Sequence, residues 1–258
     1  MRRRLQILTV LALLVAPCGM AQALDAAKVD SINKATDAFI ALAKDPSKAG
    51  KPPRLNDPAA KPLLNTVFNT KEIEGGKPLP FDQINLLYDW HQAAFKAGLV
   101  YYLAGTGTDD PIVVAKDPKL TLRANQNTAT FAPEFGAYYD AKIRIFAAMV
   151  DSAAAQLAAA TPEQMKDPEF QKTVNGVSDG MTRAILGVLG TFVLDGMPED
   201  WLLLRTALLL EVTPKTAKFI SPDDRKRVQN AAFEISDQIK NPDVKSGVNT
   251  IARGMLML

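Results

Sequence analysis

Thiols and imidazoles are almost missing from this sequence. Cys18 is the only cysteine and His91 the only histidine among 258 residues. No intrachain disulfide can staple the fold, and the usual zinc sites built from histidine and cysteine cannot be assembled. The C-x-x-C-H pattern of haem attachment is absent. A Ser–His–Asp triad would have to use His91, and no G-x-S-x-G elbow accompanies it. An excess of one charge is lacking as well, with 30 basic against 28 acidic residues. The densest basic stretch, Arg225-Lys226-Arg227, follows Asp223 and Asp224 and reads as a solvated helix start. No basic face is available to collect phosphates. The sequence therefore predicts no metal, no cofactor and no nucleic-acid partner.

Strand signals are equally thin. Ile112-Val113-Val114 is the only short β-branched run, and nothing nearby would pair with it. No repeat of fixed period marks a solenoid. The one long apolar run, Leu5 to Ala16, is shorter than the roughly 20 residues that span a bilayer. Arg2, Arg3 and Arg4 precede it, Pro17 breaks it, and Ala21-Gln22-Ala23 follows. This is the three-part pattern of a secretory signal peptide over residues 1–23. Pro17 directly before Cys18 argues against a lipid anchor there. Cleavage after Ala23 removes three arginines and the cysteine, leaving 27 basic against 28 acidic residues and no thiol. Such a chain suits an oxidising compartment, so the expected location is periplasmic or secreted. The 235 residues from Leu24 to Leu258 are enough to bury a core without staples.

What is present is helical periodicity with clear start signals. From Glu134 to Ala159, Phe135, Tyr139, Ile143, Phe146, Val150, Ala153 and Leu157 recur at spacings of four and three, which places them on one helix face. Val29, Ile32, Thr36, Phe39 and Ala43 do the same between Asp25 and Lys44. Thr161-Pro162, Asp167-Pro168, Thr213-Pro214, Ser221-Pro222 and Asn241-Pro242 each set a capping side chain before a proline. Proline is tolerated in the first turn, and the cap satisfies a free helix N–H. These signals predict helices near 168–195, 199–212, 222–240 and 242–257, with 214–220 as a turn of helix or a connector. The expected fold is all-α, a single bundle-like arrangement of seven or eight helices without significant sheet. Its order is an N-terminal helix (24–45), a proline-rich connector with one short helix (46–80) and a main helical domain (81–258). Residues 105–133 read as a second irregular stretch.

Candidate sites are few. In the helix 82–104, His91 lies about 130° from the centre of the polar face. It is expected among Leu87, Trp90 and Ala94 as a core histidine bonded to a neighbour. Gly176, Gly180, Gly187 and Gly190 fall within about 80° of one another, and each glycine weakens a helix by roughly 0.8–1.0 kcal/mol. A close neighbour is expected against that face. Arg183 shares the face and either forks onto a ligand's carboxylate or phosphate or pairs with an internal acid. The ligand-binding candidates are Arg183, Gly180, Gly187, Asn125 and Asn127, the last two from an amide- and hydroxyl-rich loop over 120–130. Arg205 sits in a helix that is apolar nearly all round and expected to be central, with Asp195, Asp179 or Asp89 as its partner. The functional expectation is a non-catalytic binding or interaction module of the cell envelope, serving an envelope protein or a small or lipidic ligand. The alternative is an envelope hydrolase with Glu134 as general acid, which would need a second carboxylate near by.

Overall fold

The computed structural model describes residues 24–45, 51–74 and 77–256. The signal-peptide expectation falls on residues 1–23, outside the described residues. Within them the fold is all-α, and the helix count is ten rather than seven or eight. The helices are α1 (Ala26–Ala43), α2 (Lys61–Phe68), α3 (Ile84–Tyr102), α4 (Pro111–Lys116), α5 (Pro118–Thr130), α6 (Ala132–Ala159), α7 (Pro168–Thr191), α8 (Glu199–Phe219), α9 (Pro222–Ser236) and α10 (Pro242–Gly254). None among the described residues is long and apolar enough to cross a membrane.

The two extra helices occupy the stretch read as irregular. Asp110 accepts from the Ile112 N–H at 2.8 Å, and Asp117 from the Lys119 N–H at 2.8 Å. Each caps a helix whose first residue is proline. The β-branched run Ile112-Val113-Val114 therefore lies in α4, and the supposed loop 120–130 lies in α5. Asp167, Ser221 and Asn241 cap α7, α9 and α10 as their sequences predict. Thr213-Pro214 does not start anything. α8 runs through it to Phe219, and the Thr213 hydroxyl donates to the Leu209 carbonyl at 2.7 Å. Pro214 costs one N–H, yet the buried Val212, Thr213, Thr216 and Ala217 on either side hold this segment against its neighbours.

α6 is the central element. α3, α7 and α8 all lie along it, so its buried set is wider than one stripe and takes in Ala141, Ile145 and Met149 as well as Ile143 and Val150. α8 is not the central helix expected from its composition, because Leu203 and Leu204 are exposed. α1 and α2 cover the outer side of α3, and α9 and α10 pack on α7 and α8. Polar ties fix these layers at buried points. Trp90 Nε1 donates to the Val67 carbonyl at 2.7 Å, joining α3 to α2. Trp201 Nε1 donates to the Ala132 carbonyl at 2.8 Å, joining α8 to α6. Each such side chain contributes about 1.5–3 kcal/mol by burial, and the bond removes the cost of its buried N–H.

Arg205 pairs with none of the three expected acids. Its Nε donates to Asp140 Oδ1 at 3.0 Å, and its Nη2 bonds both the Gly136 carbonyl, at 3.2 Å, and Asp140 Oδ2. Its guanidinium also lies 5.1 Å from the centre of the Trp201 ring. A Cβ at Gly136 would stand 3.1 Å from Trp201 Nε1 and 3.3 Å from both Arg205 terminal nitrogens. A side chain there would push the clamp aside by a few tenths of an ångström.

Asp140→Ala strands a buried guanidinium, which costs ~3–5 kcal/mol in a fully buried pair. Asp140 is 41% exposed, so about 2–3 kcal/mol is expected in urea unfolding. The Asp140→Ala/Arg205→Met double variant should lose less than the sum of the two single variants. Additive losses would show that the two side chains act independently.

Candidate functional site

A groove of about 620 Å³ opens where α3, α6 and α7 meet. Its volume lies within the roughly 300–1,000 Å³ typical of small-molecule sites. The α3 wall carries Tyr88, His91 and Phe95, spaced three and four apart and therefore aligned on one face. Their rings form a row, with His91 6.4 Å from each of the other two. Tyr88 and Phe95 are 50% and 38% exposed, so an aromatic lip faces solvent. From α6 come Lys142, Phe146 and Met149, and the Phe146 ring sits 4.7 Å from His91. The α7 wall includes Thr173, Gly176, Val177, Gly180 and Arg183.

The glycine face of α7 is pressed hard against its neighbour at one place. A Cβ at Gly180 would fall on the Phe146 ring, with Phe146 Cζ only 2.8 Å away. That close approach is the kind the four-glycine spacing predicts. Gly176 and Gly190 meet nothing within 4 Å, and Gly187 has only Lys142 and Tyr139 near its Cβ position. The face is therefore a tight contact at Gly180, an ordinary one at Gly187 and open space at Gly176 and Gly190.

Two ionisable side chains in the groove are displaced from their ordinary behaviour. Burial pushes the His91 imidazole down to about 4, with the Lys142 charge adding to the effect. His91 is neutral at pH 7, and its buried Nδ1 has no hydrogen-bond partner. The expected bond to a core neighbour is thus missing at Nδ1, because the residue stands at a cavity wall rather than inside the core. Burial also pulls the Lys142 ammonium down to about 8. Its Nζ lies 5.8 and 6.0 Å from the ring centres of Tyr138 and Tyr139. No carboxylate among the described residues pairs with it.

The candidates named from sequence are scattered. Gly180 and Arg183 line the groove, while Gly187 borders Lys142 outside it. Arg183 is exposed and bonds Asp179 one turn earlier, Nη2 to Oδ2 at 2.8 Å, in place of the expected buried acid. Asn125 and Asn127 lie on α5, away from the groove. Asn127 is buried and donates to the Tyr102 and Ala104 carbonyls at 3.0 and 2.8 Å, which fastens α5 to the end of α3. Glu134 is buried as well. Its Oε1 accepts from the Leu55 N–H at 2.9 Å and stands 3.1 Å from Arg54 Nε. The nearby polar recess is lined by Arg54, Asp57, Arg123 and Asn127 without it, and Asp140 is taken by Arg205. The geometry gives no support to a carboxylate pair for hydrolysis.

Sequence reasoning missed Lys142 and the aromatic row. The row was legible in the spacing of Tyr88, His91 and Phe95. Lys142 gave no signal, since only the arrangement of three helices shows that it lacks an acid. Among the described residues, no three of histidine, cysteine, aspartate and glutamate come together where they could hold a metal ion. Comparison with family models, curated proteins and solved structures gives no significant match for this chain.

Lys142 holds its proton more weakly when folded than when unfolded, where it titrates near 10.5. Between about pH 8 and 10.5 the unfolded chain keeps a proton the folded chain has lost, so stability rises with pH there. Below pH 8 the folded protein carries the cost of a desolvated charge. Lys142→Met should therefore be more stable than the parent by roughly 2 kcal/mol at pH 7. The gap should close as pH approaches 10.5. Equal unfolding midpoints at pH 7 would mean the ammonium is fully compensated in the folded state.

Proposed function

We propose that this chain is a non-catalytic binding module of the cell envelope, exported through its N-terminal segment. Its ligand is a small amphipathic molecule held between α3, α6 and α7. One observation carries the reading: the groove joins an exposed aromatic lip to a half-buried cation, Lys142, that has no acid partner among the described residues. Apolar walls with a few convergent polar groups are the usual make-up of a small-molecule site. Solvent-facing rings such as Tyr88 and Phe95 have no folding role that requires exposure, whereas a ligand's apolar body would cover them. Export is supported by Arg2–Arg4, the apolar run after them and Ala21-Gln22-Ala23.

Gly176 supplies the test. It lines the groove, and a side chain added there meets nothing within 4 Å. Gly176→Leu should fold as well as the parent or slightly better, by up to ~1 kcal/mol of helix propensity, while filling the groove. The uncharged fluorescent probe N-phenyl-1-naphthylamine should bind the parent at one site per chain. Gly176→Leu should weaken it at least tenfold, and Gly190→Leu, exposed and outside the groove, should leave it unchanged. Retained binding in Gly176→Leu would place the probe elsewhere. Export has its own readout: protein recovered from the envelope should begin at Leu24, and a start at Met1 or lipid on Cys18 would refute it.

A further inference from the structure

We infer that the polar head of the ligand is an anion, a carboxylate or a phosphate, and that Lys142 is its counter-ion. This rests on the binding reading above and names the chemistry of the same groove. Three cations border the cavity. Arg183 is paired with Asp179 at 2.8 Å, and Lys172 reaches Glu169 at 3.5 Å. Both stand exposed at the rim. Lys142 is half-buried and, among the described residues, has no acid at all. A cation removed from water requires a partner. The Tyr138 and Tyr139 rings offer their faces at the outer limit of about 6 Å at which such contacts act. They meet the charge in part and donate no lone pair. An oxyanion would supply both a full counter-charge and acceptors for the ammonium protons.

The rest of the groove fits such a molecule. His91 faces the same space, close enough to feel the Lys142 charge, and its buried Nδ1 is unpartnered. The Phe146 ring lies against His91, and the exposed Tyr88 and Phe95 rings flank His91 on either side along α3. An aromatic or acyl body laid along them would bury apolar surface on both sides. A neutral ligand would leave Lys142 more desolvated than before, since it displaces water and returns no charge. The groove therefore discriminates against uncharged molecules of the same shape.

A pH response follows. The groups facing Lys142 are His91 from α3, Tyr138 and Tyr139 from its own helix, and the mutually paired Arg183 and Asp179 from α7. Asp140 and Arg205, at the α8 side of α6, also pair with each other. His91 has already lost its proton well below pH 7. Burial pushes the Tyr139 hydroxyl up to about 12 and Tyr138 higher still. The change between pH 7 and 9 therefore belongs to Lys142. An anion favours the ammonium and raises its affinity for the proton, so binding is strongest below about pH 8 and weakens as pH rises above it.

The test compares two dyes of similar size on the purified protein, 1-anilinonaphthalene-8-sulfonate, an anion, and uncharged N-phenyl-1-naphthylamine. The sulfonate should bind at least tenfold more tightly at pH 7. Lys142→Met should erase that advantage, bringing the two dyes to similar affinity. Lys142→Arg, whose charge does not titrate, should retain sulfonate binding and lose its decline between pH 8 and 10. Octanoate and octyl phosphate should each displace the sulfonate where octanol does not, and the better competitor identifies the natural head group. Equal affinity for the two dyes, or sulfonate binding indifferent to Lys142→Met, overturns the anion inference and leaves the binding module standing. Failure of the parent protein to bind either dye overturns both.

Discussion

Arg205 is a guanidinium with almost no water around it, and the crossing of α8 over α6 depends on how that charge is met. Asp140 and the Gly136 carbonyl both belong to α6, one turn apart, and together they take the Nε and Nη2 donors. Trp201, one turn before Arg205, covers the guanidinium face and ties its own indole to Ala132. The clamp therefore fixes α8 at several successive points along the N-terminal half of α6. A buried pair of this kind adds little net stability over apolar packing. Its effect is on register, because a shift of one turn would leave the charge without acceptors. With α6 held, α3 and α7 settle on its remaining faces, and the groove is the space their side chains fail to fill.

Two cations thus meet α6 in opposite ways. Arg205 comes from a neighbouring helix and finds a carboxylate and a backbone carbonyl. Lys142 belongs to α6 itself and finds two aromatic rings. Arg205 is buried and Lys142 half-buried at the groove, and what separates them chemically is the carboxylate that only Arg205 has. Stability alone would favour an apolar residue at 142. Native proteins keep such local costs where a site requires them. The neutral imidazole at 91 has the same character, a polar atom taken out of water and given nothing in return.

Much of the fold was legible because its signals are local. Asx-proline and Ser-proline caps act through N–H groups two or three residues away, and Asp167, Ser221 and Asn241 do what their sequences suggest. Asp110-Pro111 and Asp117-Pro118 carry the same signature, and overlooking it turned α4 and α5 into a loop. The glycines and amides around them weighed against helix, yet Asn127 is spent on the carbonyls that end α3, a use that becomes visible only once α5 is docked. Thr213-Pro214 failed the other way, since buried residues on both sides of the proline outweigh the lost N–H. Partner choice was less legible. Asp179 lies four residues before Arg183 and could have been read as an i,i+4 pair. Asp140 is 65 residues from Arg205, and no periodicity connects them. Lys142 defines the site by lacking a partner, a property that exists only after every neighbouring helix is in place.

α7 shows how helix cost and site geometry are linked. Its glycines weaken the helix by roughly 0.8–1.0 kcal/mol each. At Gly180 the cost is offset, because the Phe146 ring occupies the space of a side chain and seals α7 onto α6. No such offset exists at Gly176, where a side chain would meet nothing. A helix under selection for stability alone would carry alanine there. What the glycine does provide is clearance one turn from the Phe146 contact, on the wall facing Tyr88 and His91 across the groove. The tight contact and the open turn are therefore parts of one arrangement: Gly180 brings the helices close enough to form a wall, and Gly176, one turn earlier, leaves the space beside that contact open.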